Sequence, residues 1–355
     1  MINYFIKSLI DWVFRRCLPG VTLIRVGVPL FGLVLVGLTV GITIPTSQVP
    51  FNFSWDTSGS SGALSWGVFA RACVIVLLGG WLVVRDIRRE SRKKVIVIKA
   101  RGLRDWQGQP LASAVPSSIL GRREQVIIDL RQGIVDGQIV SPEAAVRRIS
   151  SLPDDIARRC DGLDRSDISF VLGGLAPVPL LFLLGVIVVD ESNTVIMDWD
   201  RLLRARRGLT VDDDGKRFVV AGLDTLQAGA TRVALCVSAS YDVLDVDVQI
   251  TEAVTPIIRM DLEGRGTDTH WSELKQQLAQ LFLDTVISLV RKGVTEITLF
   301  LAAPASLALR LGMLYDKRNL PRLEVNQYEQ ADPKRFPWVV RMPVAGVLQP
   351  EIVHR

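Results

Sequence analysis

Glu296-Ile-Thr-Leu-Phe-Leu-Ala-Ala-Pro304, continued by a short apolar run to Gly312 and then by Leu323-Glu-Val-Asn-Gln-Tyr328, decides the fold. A short apolar run, a turn carrying Pro, a helical pattern closed by Gly and a second strand together predict a β-α-β unit. The chain has already written the same unit once. Asp167-Ile-Ser-Phe-Val-Leu-Gly-Gly174 reads as a strand, Pro177 to Leu184 as a short apolar helix stopped by Gly185, and Thr194-Val-Ile-Met-Asp-Trp199 as a strand ending in an aromatic. Further from the centre, Val95–Ile98 pairs with Val233–Val237, and Val126–Leu130 with Ile258–Leu262, each of the latter followed by a glycine (Gly133, Gly264). A helix opened by Ser141-Pro142-Glu143, a cap followed by a first-turn proline, pairs with an amphipathic helix from Trp271. That second helix sets Leu274, Leu278, Leu281, Thr285 and Leu289 on one face. The offset between copies stays nearly constant: Asp129 to Asp261 is 132 residues, Ile168 to Ile297 is 129, and Gly185 to Gly312 is 127. The fold class is therefore α/β, with two fused Rossmann-like lobes over about 95–205 and 232–345. The acidic turn Asp212-Asp-Asp-Gly215 and the segment up to Gly229 join them, and strands alternating with helices predict largely parallel sheets.

Composition narrows the chemistry. At 355 residues the chain suits two or three domains. Apolar content of 48% with a positive mean hydropathy calls for a membrane segment. A net charge of +5 is modest, leaves room for an anionic ligand or lipid headgroups, and does not demand a DNA or RNA polymer. Cys17, Cys73, Cys160 and Cys236 are scattered, without a CxxC, which argues against a zinc site or a disulfide framework and for a reducing compartment. Only His270 and His354 are present, so a His-built metal centre or a Ser-His-Asp triad would rest on one candidate, and no cofactor is expected.

The membrane segment lies ahead of the lobes. Residues 1–25 hold an interfacial helix, Ile2, Phe5, Ile6, Leu9, Ile10 and Val13 being interleaved with Lys7, Arg15 and Arg16. Val26 to Ile44 carries no charge over 19 residues, and Ala63 to Val84 is apolar except for Arg71. Each approaches the ~20 residues that cross a bilayer core, so 26–84 reads as a hairpin of two spans, 26–44 and 63–84. Lys and Arg flank both outer ends and are missing from the connecting loop, which puts both termini and the large domain in the cytoplasm. Phe53, Trp55 and Trp66 fit an aromatic belt at the outer face, and 85–94 is a basic connector lying against anionic lipid. Gly37-x-x-x-Gly41 either permits close helix approach or reflects the abundance of Gly in membrane helices. Arg71 costs ~2.5–3.5 kcal/mol inside a span, and two readings stand: it snorkels to the outer surface, or it lines a pore.

Ligand chemistry is sought at the carboxyl ends of the strands. The equivalent loops there are Gly173-Gly174-Leu175-Ala176-Pro177 and Ala302-Ala303-Pro304-Ala305-Ser306, each of small residues and each leading into a helix. A helix amino end suits an anion such as a phosphate, and small side chains let the backbone approach it. Ligand contact is preferred because both copies keep the feature; tight strand–helix packing is the other reading. Neither loop is a Walker A or a GxGxxG sequence, which speaks against ATPase chemistry and dinucleotide cofactors. Trp199 and Tyr328 end matching strands, available for stacking on bases or for core packing, with Gln327 beside Tyr328. Arg201, Arg204, Arg206 and Arg207 form a basic run that is either a solvated face or a phosphate contact, Arg201 and Arg204 being the preferred pair.

The pattern from Ile297 to Tyr328, preceded by His270-Trp271, resembles the SAVED domain over about 95–345, and with the two spans the chain resembles transmembrane SAVED effectors of CBASS antiphage systems. That resemblance implies two fused CARF-type lobes that bind a cyclic di- or trinucleotide made by a CD-NTase. It also implies that binding drives homo-oligomerisation or rearrangement that breaches the bacterial inner membrane. Other SAVED proteins carry a nuclease or TIR enzyme; this chain has neither, leaving the spans as the effector part. The competing expectations are a membrane-anchored enzyme degrading the same nucleotide, with His270 or a lobe carboxylate as base, and a membrane tether for a protein partner.

Overall fold

The computed structural model describes residues 19–36, 40–44, 51–55, 62–102, 110–131, 134–135, 138–139, 141–188, 194–200, 205–209, 215–253, 255–265, 279–347 and 349–355. It divides into two compact units, Met1–Arg92 and Lys93–Arg355. The first holds helix α1 (Pro19–Val36), strands β1 (Val40–Ile44) and β2 (Phe51–Trp55), and helix α2 (Gly62–Arg92). The helix expected over 26–44 thus stops at Val36. Val40, Ile42, Thr43 and Ile44 are β-branched and favour the extended strand that pairs antiparallel with Phe51–Trp55. Gly41 is accordingly a strand residue, not a helix-contact glycine, and Gly37 and the interfacial segment 1–18 lie outside the described residues.

Other glycines bring the helices together. A Cβ on Gly20 would sit 2.8 Å from the Gly79 carbonyl oxygen, and one on Gly27 would sit 2.6 Å from Val76 Cγ2. Gly20 and Gly27, on one side of α1, therefore let α1 and α2 touch backbone to backbone. On its other side α2 exposes Arg71, Val74, Leu78, Trp81 and Arg85, spaced alternately three and four apart, with the Arg85 guanidinium 5.6 Å from the Trp81 ring centre. Among the described residues no helix is long and apolar enough to cross a membrane.

The second unit opens with the first lobe: β3 (Lys94–Arg101), α3 (Leu111–Ala114), β4 (Arg122–Asp129), the small pair β5 (Ile134–Val135) and β6 (Gln138–Ile139), α4 (Pro142–Ser150), α5 (Leu152–Cys160), β7 (Ile168–Leu175), α6 (Val178–Val188), β8 (Thr194–Asp200) and β9 (Ala205–Gly208). The second follows with β10 (Phe218–Ala221), β11 (Arg232–Ser238), α7 (Asp245–Thr251), β12 (Ile257–Leu262), α8 (Ala279–Arg291), β13 (Glu296–Ala302), α9 (Ala305–Leu314), β14 (Arg322–Gln327), β15 (Trp338–Arg341) and β16 (Glu351–His354). The sheets run β4-β3-β7-β8-β9 and β10-β12-β11-β13-β14-β15-β16. Within them β4-β3-β7-β8 and β12-β11-β13-β14 are parallel, and β9 and β15 each close their set antiparallel. The duplication is therefore one of strand order and direction, not of sequence rhythm alone. The linker does more than join: its residues Phe218–Ala221 form β10, antiparallel to β12.

Sequence expectations and structure part at three helix ends. Gly185 and Gly312 lie inside α6 and α9, not after them. A Cβ on Gly185 would run into the Leu309 carbonyl oxygen, and one on Gly312 into that of Phe182. The two glycines mark the crossing where the equivalent helices of the lobes pack against each other. Ser141 precedes α4 in the left-handed conformation (φ 68°) and makes no side-chain cap bond, while Pro142 opens the helix as expected. Around the crossing, Phe182 packs edge-on against Phe282 with ring centres 6.5 Å apart and lies 6.2 Å from the Tyr315 ring. One apolar core runs through both lobes. At the amino ends of the second sheet, Arg232 meets Glu252 at 2.9 Å and Arg341 meets Glu324 at 2.9 Å, while Arg355 reaches both carboxylates. This network ties the end of the chain to the sheet.

Candidate ligand-binding site

The first lobe's strands end together: Lys99 lies beside Gly173, Ala100 beside Gly174 and Arg101 beside Leu175. Gly173 and Gly174 are strand residues, not loop residues. A Cβ on Gly173 would lie 2.9 Å from the Met197 carbonyl oxygen, and one on Gly174 would run into the Ala100 backbone. Close strand packing accounts for both glycines. The turn itself shrinks to Ala176-Pro177, held where Gly102 N–H donates to the Leu175 carbonyl at 2.7 Å. In the second lobe the matching turn is Ala303-Pro304, with Ala305 and Ser306 already in the first turn of α9.

The two helices are exchanged between lobes. Helix α9 packs on β7 and β8 of the first sheet, and α6 packs on β14 and β15 of the second. Each lobe's turn is thereby delivered toward the other lobe's strands. Ser306 shows how closely: its buried Oγ donates to Asp198 Oδ2 at 2.6 Å, and Asp198 Oδ1 accepts from the Trp199 N–H at 2.7 Å. A second bond between lobes joins His354 Nε2 to Glu143 Oε1 at 2.7 Å. That histidine beside it holds the Glu143 carboxyl below the ordinary carboxylate range.

The two mouths differ in chemistry. Trp199 is only 5% exposed, with the Arg206 guanidinium 5.7 Å from its ring centre. Burial pulls the Arg206 pKa down, with Asp198 opposing. Burial likewise lowers the Lys99 pKa, helped by the charges of Arg206 and Arg101. Lys99 and Arg101 on β3 and Asp198 on β8 stand at these strand ends, though none was singled out in the sequence. The signal was there: Lys99 and Arg101 alternate at the end of an apolar strand, which sets two cations on one face of the sheet's carboxyl edge. At the second mouth β11 ends in a buried Ser238, whose Oγ accepts from the Val243 N–H at 3.3 Å. Tyr328 there is 48% exposed and leans edge-on against Phe336 at 5.4 Å, with Phe300 behind at 4.7 Å. Gln327 Nε2 donates to the Tyr328 carbonyl at 2.9 Å. Trp199 and Tyr328 therefore do not match: one is buried, the other presents a ring. Arg201, Arg204, His270 and Trp271 lie outside the described residues. Arg71 is on the exposed face of α2 in the other unit.

Two family models match the chain. Residues 1–146 match a SAVED-fused 2TM effector domain, and residues 152–342 match the "SMODS-associated and fused to various effectors" sensor domain, SAVED. The chain belongs to the SAVED family. It is a SAVED sensor domain fused to an effector domain of the two-transmembrane kind. Among solved structures it is similar to the Acinetobacter baumannii Cap4 SAVED/CARF-domain receptor with the cyclic trinucleotide 2'3'3'-cAAA (14% identity, TM-score 0.49, 79% of this chain and 60% of that one). It is also similar to the same receptor with 3'3'3'-cAAA (12%, 0.45, 79% and 60%) and to the Moraxella osloensis Cap4 receptor (12%, 0.45, 79% and 58%). The chain thus spans about 60% of the length of these receptors. No curated protein sequence matches it. The effector match ends inside α4, so β3 and β4, which share a sheet with β7 of the SAVED match, fall within the effector-domain match.

Proposed function

We propose that this chain is a membrane effector of bacterial antiphage defence, gated by a cyclic oligonucleotide from a CD-NTase. The observation that carries the reading is the presence, on one chain, of a SAVED sensor domain and a two-transmembrane effector domain. The SAVED part binds the cyclic di- or trinucleotide across the two mouths. The first unit spans the inner membrane twice with both ends cytoplasmic, the large domain lying inside. Ligand binding rearranges or assembles copies so that the membrane is breached.

Geometry supports this reading at two points. Helices α6 and α9 each pack on the other lobe's strands, so a ligand that shifts either helix is felt by both lobes. Tyr328 offers a half-exposed ring for a base, backed by Phe336 and with Gln327 beside it, while Leu175, Ala176, Ala303, Pro304 and Ala305 stand at the equivalent strand ends and turns of the two lobes. In the first unit, the exposed stripe of α2 (Val74, Leu78, Trp81) suits lipid or the same stripe of another copy, and a 3-4 spacing is what helix-to-helix seams use. Arg71 shares that stripe, so it meets whatever the stripe meets.

The test is to titrate the full chain, in detergent, with a panel of cyclic di- and trinucleotides and then to examine the ligand. Binding with the ligand recovered intact supports a sensor. Ligand turnover would replace it with a degrading enzyme, and no binding across the panel would leave a tether. With a bound ligand in hand, Tyr328→Ala should weaken affinity roughly ten- to a hundred-fold, the loss of about one stacked base.

A further inference from the structure

Residues 85–94 form one basic connector in the sequence, yet Lys94 leaves it. Its Nζ donates to the Arg159 carbonyl at 2.6 Å and meets Glu124 Oε2 at 2.6 Å, with only 18% of the side chain exposed. Arg159 closes the figure by donating to Glu124 Oε1. The Lys94 and Arg159 donors hold the Glu124 carboxyl below the ordinary carboxylate range, so the triangle is charged at neutral pH. Its corners come from β3, β4 and the last turn of α5. The backbone repeats the tie one residue earlier. Arg122 N–H donates to the Lys93 carbonyl at 2.9 Å. Gly121 approaches the same carbonyl at φ 134°, where a Cβ would sit 2.7 Å from its oxygen. Lys93 is the one residue between α2 and β3, and it is thus bonded to the entry of β4. Helix α5 in turn packs against α6, and α6 lies on β14 and β15 of the other lobe. A packed route therefore runs from the lobe crossing through α6 and α5 to Arg159. The matching place in the second lobe is built differently. Arg232, which opens β11, meets Glu252 and Glu324, both buried, and these also hold Arg355. That network locks its sheet from within. The triangle of the first lobe is partly open to water, where ion pairs add little to stability. Stability is therefore a poor account of three residues converging at this place.

We propose that Lys94, Glu124 and Arg159 are positioning residues of the gate: their triangle fixes the start of β3 to α5, so that movement of α6 is delivered to the end of α2 through Lys93. This rests on the gated-effector reading and names the joint through which the sensor drives the helices. The triangle stands at the amino end of β3, opposite the carboxyl ends where the ligand is sought, so none of its members needs to touch the ligand. Coupling between two sites is a free energy carried by the structure that links them. It is lost when the link yields, even where both sites are intact. A chain without the triangle should therefore bind and not act.

In the full chain reconstituted in liposomes, Glu124→Gln should bind the cyclic oligonucleotide as the wild type does. At saturation it should release dye about tenfold more slowly, within the usual range of coupling between sites. Lys94→Met should do the same, and the double variant should lose no more than either, because one link is broken once. A flexible Gly-Ser-Gly-Ser insertion between Arg92 and Lys93 leaves the triangle whole and should also silence release without changing affinity. Wild-type release from Glu124→Gln or from the insertion would overturn the joint. A fall in affinity that matches the fall in release would make Glu124 part of the sensor's own fold and overturn it too. Hydrogen exchange of the full chain in detergent, with no nucleotide present, tests the joint by itself. Glu124→Gln should speed exchange at the amides of Arg92, Lys93 and Lys94 and leave those of β7 as they were. Unchanged exchange at the three, or equal acceleration in β7, would overturn the proposal. If no nucleotide of the panel bound the wild type, the sensor reading would fall, and exchange would still decide the joint.

Discussion

His354 and Glu143, from opposite lobes, show how much a single pair of side chains is asked to do. The glutamate's folded pKa lies below its unfolded value of about 4.3, so its contribution to stability is complete above that pH and is lost as pH falls through the folded value. The pair is substantially exposed, which screens it, and Glu143→Gln should cost below about 1 kcal/mol at neutral pH. Thermal unfolding at pH 6 and at pH 3 checks this: the variant is the weaker at the higher pH, and the two proteins converge at the lower. A gap that widens on acidification would contradict it. Cys236 belongs to the same scale: burial pushes its thiol up to about 12, consistent with a packing role in the second sheet. Residue roles were the least legible part of the sequence. Tyr328 and Trp199 look equivalent in the one-dimensional pattern, and only the antiparallel β9, which lays Arg206 over the indole, makes one a buried plate and leaves the other an open ring. Ala-Arg-Arg-Gly has none of the β-branched or aromatic residues that announce a strand.

At the scale of elements, the crossing of α6 and α9 holds the lobes together. Replacing Gly185 or Gly312 by Ala gains about 1 kcal/mol in helix propensity. It also drives a methyl group into the partner helix's backbone, an overpacking worth about 1–3 kcal/mol or more. Overpacking wins, so each variant should melt several degrees lower, while Gly208→Ala, with open space around it, should not. Equal or higher Tm for Gly185→Ala would show that the crossing yields easily. These glycines were read as helix stops because glycine commonly follows the last turn of a helix. A helix such as α6, apolar on every side, carries no polar face to reveal that it continues into a core. The central parallel strands were legible, being apolar runs buried on both faces. The antiparallel strands β9, β10, β15 and β16 were not, since each is only four residues long, and Ala-Arg-Arg-Gly and Glu-Ile-Val-His are of mixed composition besides. The break of the first helix at Val36 was written in the β-branched run that follows, but the absence of charge over 26–44 masked it.

For the whole molecule, the connection between parts is short. Helix α2 ends at Arg92 and β3 begins at Lys94, so one residue separates the first unit from the strand that carries Lys99 and Arg101. On the proposed function, a ligand that orders β3 has one residue of chain to act through before helix α2. Binding moves an equilibrium only by its differential affinity for the two states, and a shift from 1:99 to 99:1 needs about 5.5 kcal/mol. One stacked base and one phosphate held by charged donors are together of that order. Two helices per chain cannot enclose an aqueous path, so a breach requires several copies, and Arg71→Leu should alter leakage only if that exposed face lines it. The duplicated architecture was legible from the repeat; the inequality of the two mouths was not, because it depends on the antiparallel strand that lays Arg206 over Trp199 and has no counterpart at Tyr328. The most direct measurement is dye release from liposomes containing the full chain, before and after addition of a cyclic oligonucleotide shown to bind it. The account predicts release that begins on addition, scales with occupancy and leaves the nucleotide intact; tight binding with no change in release would contradict it.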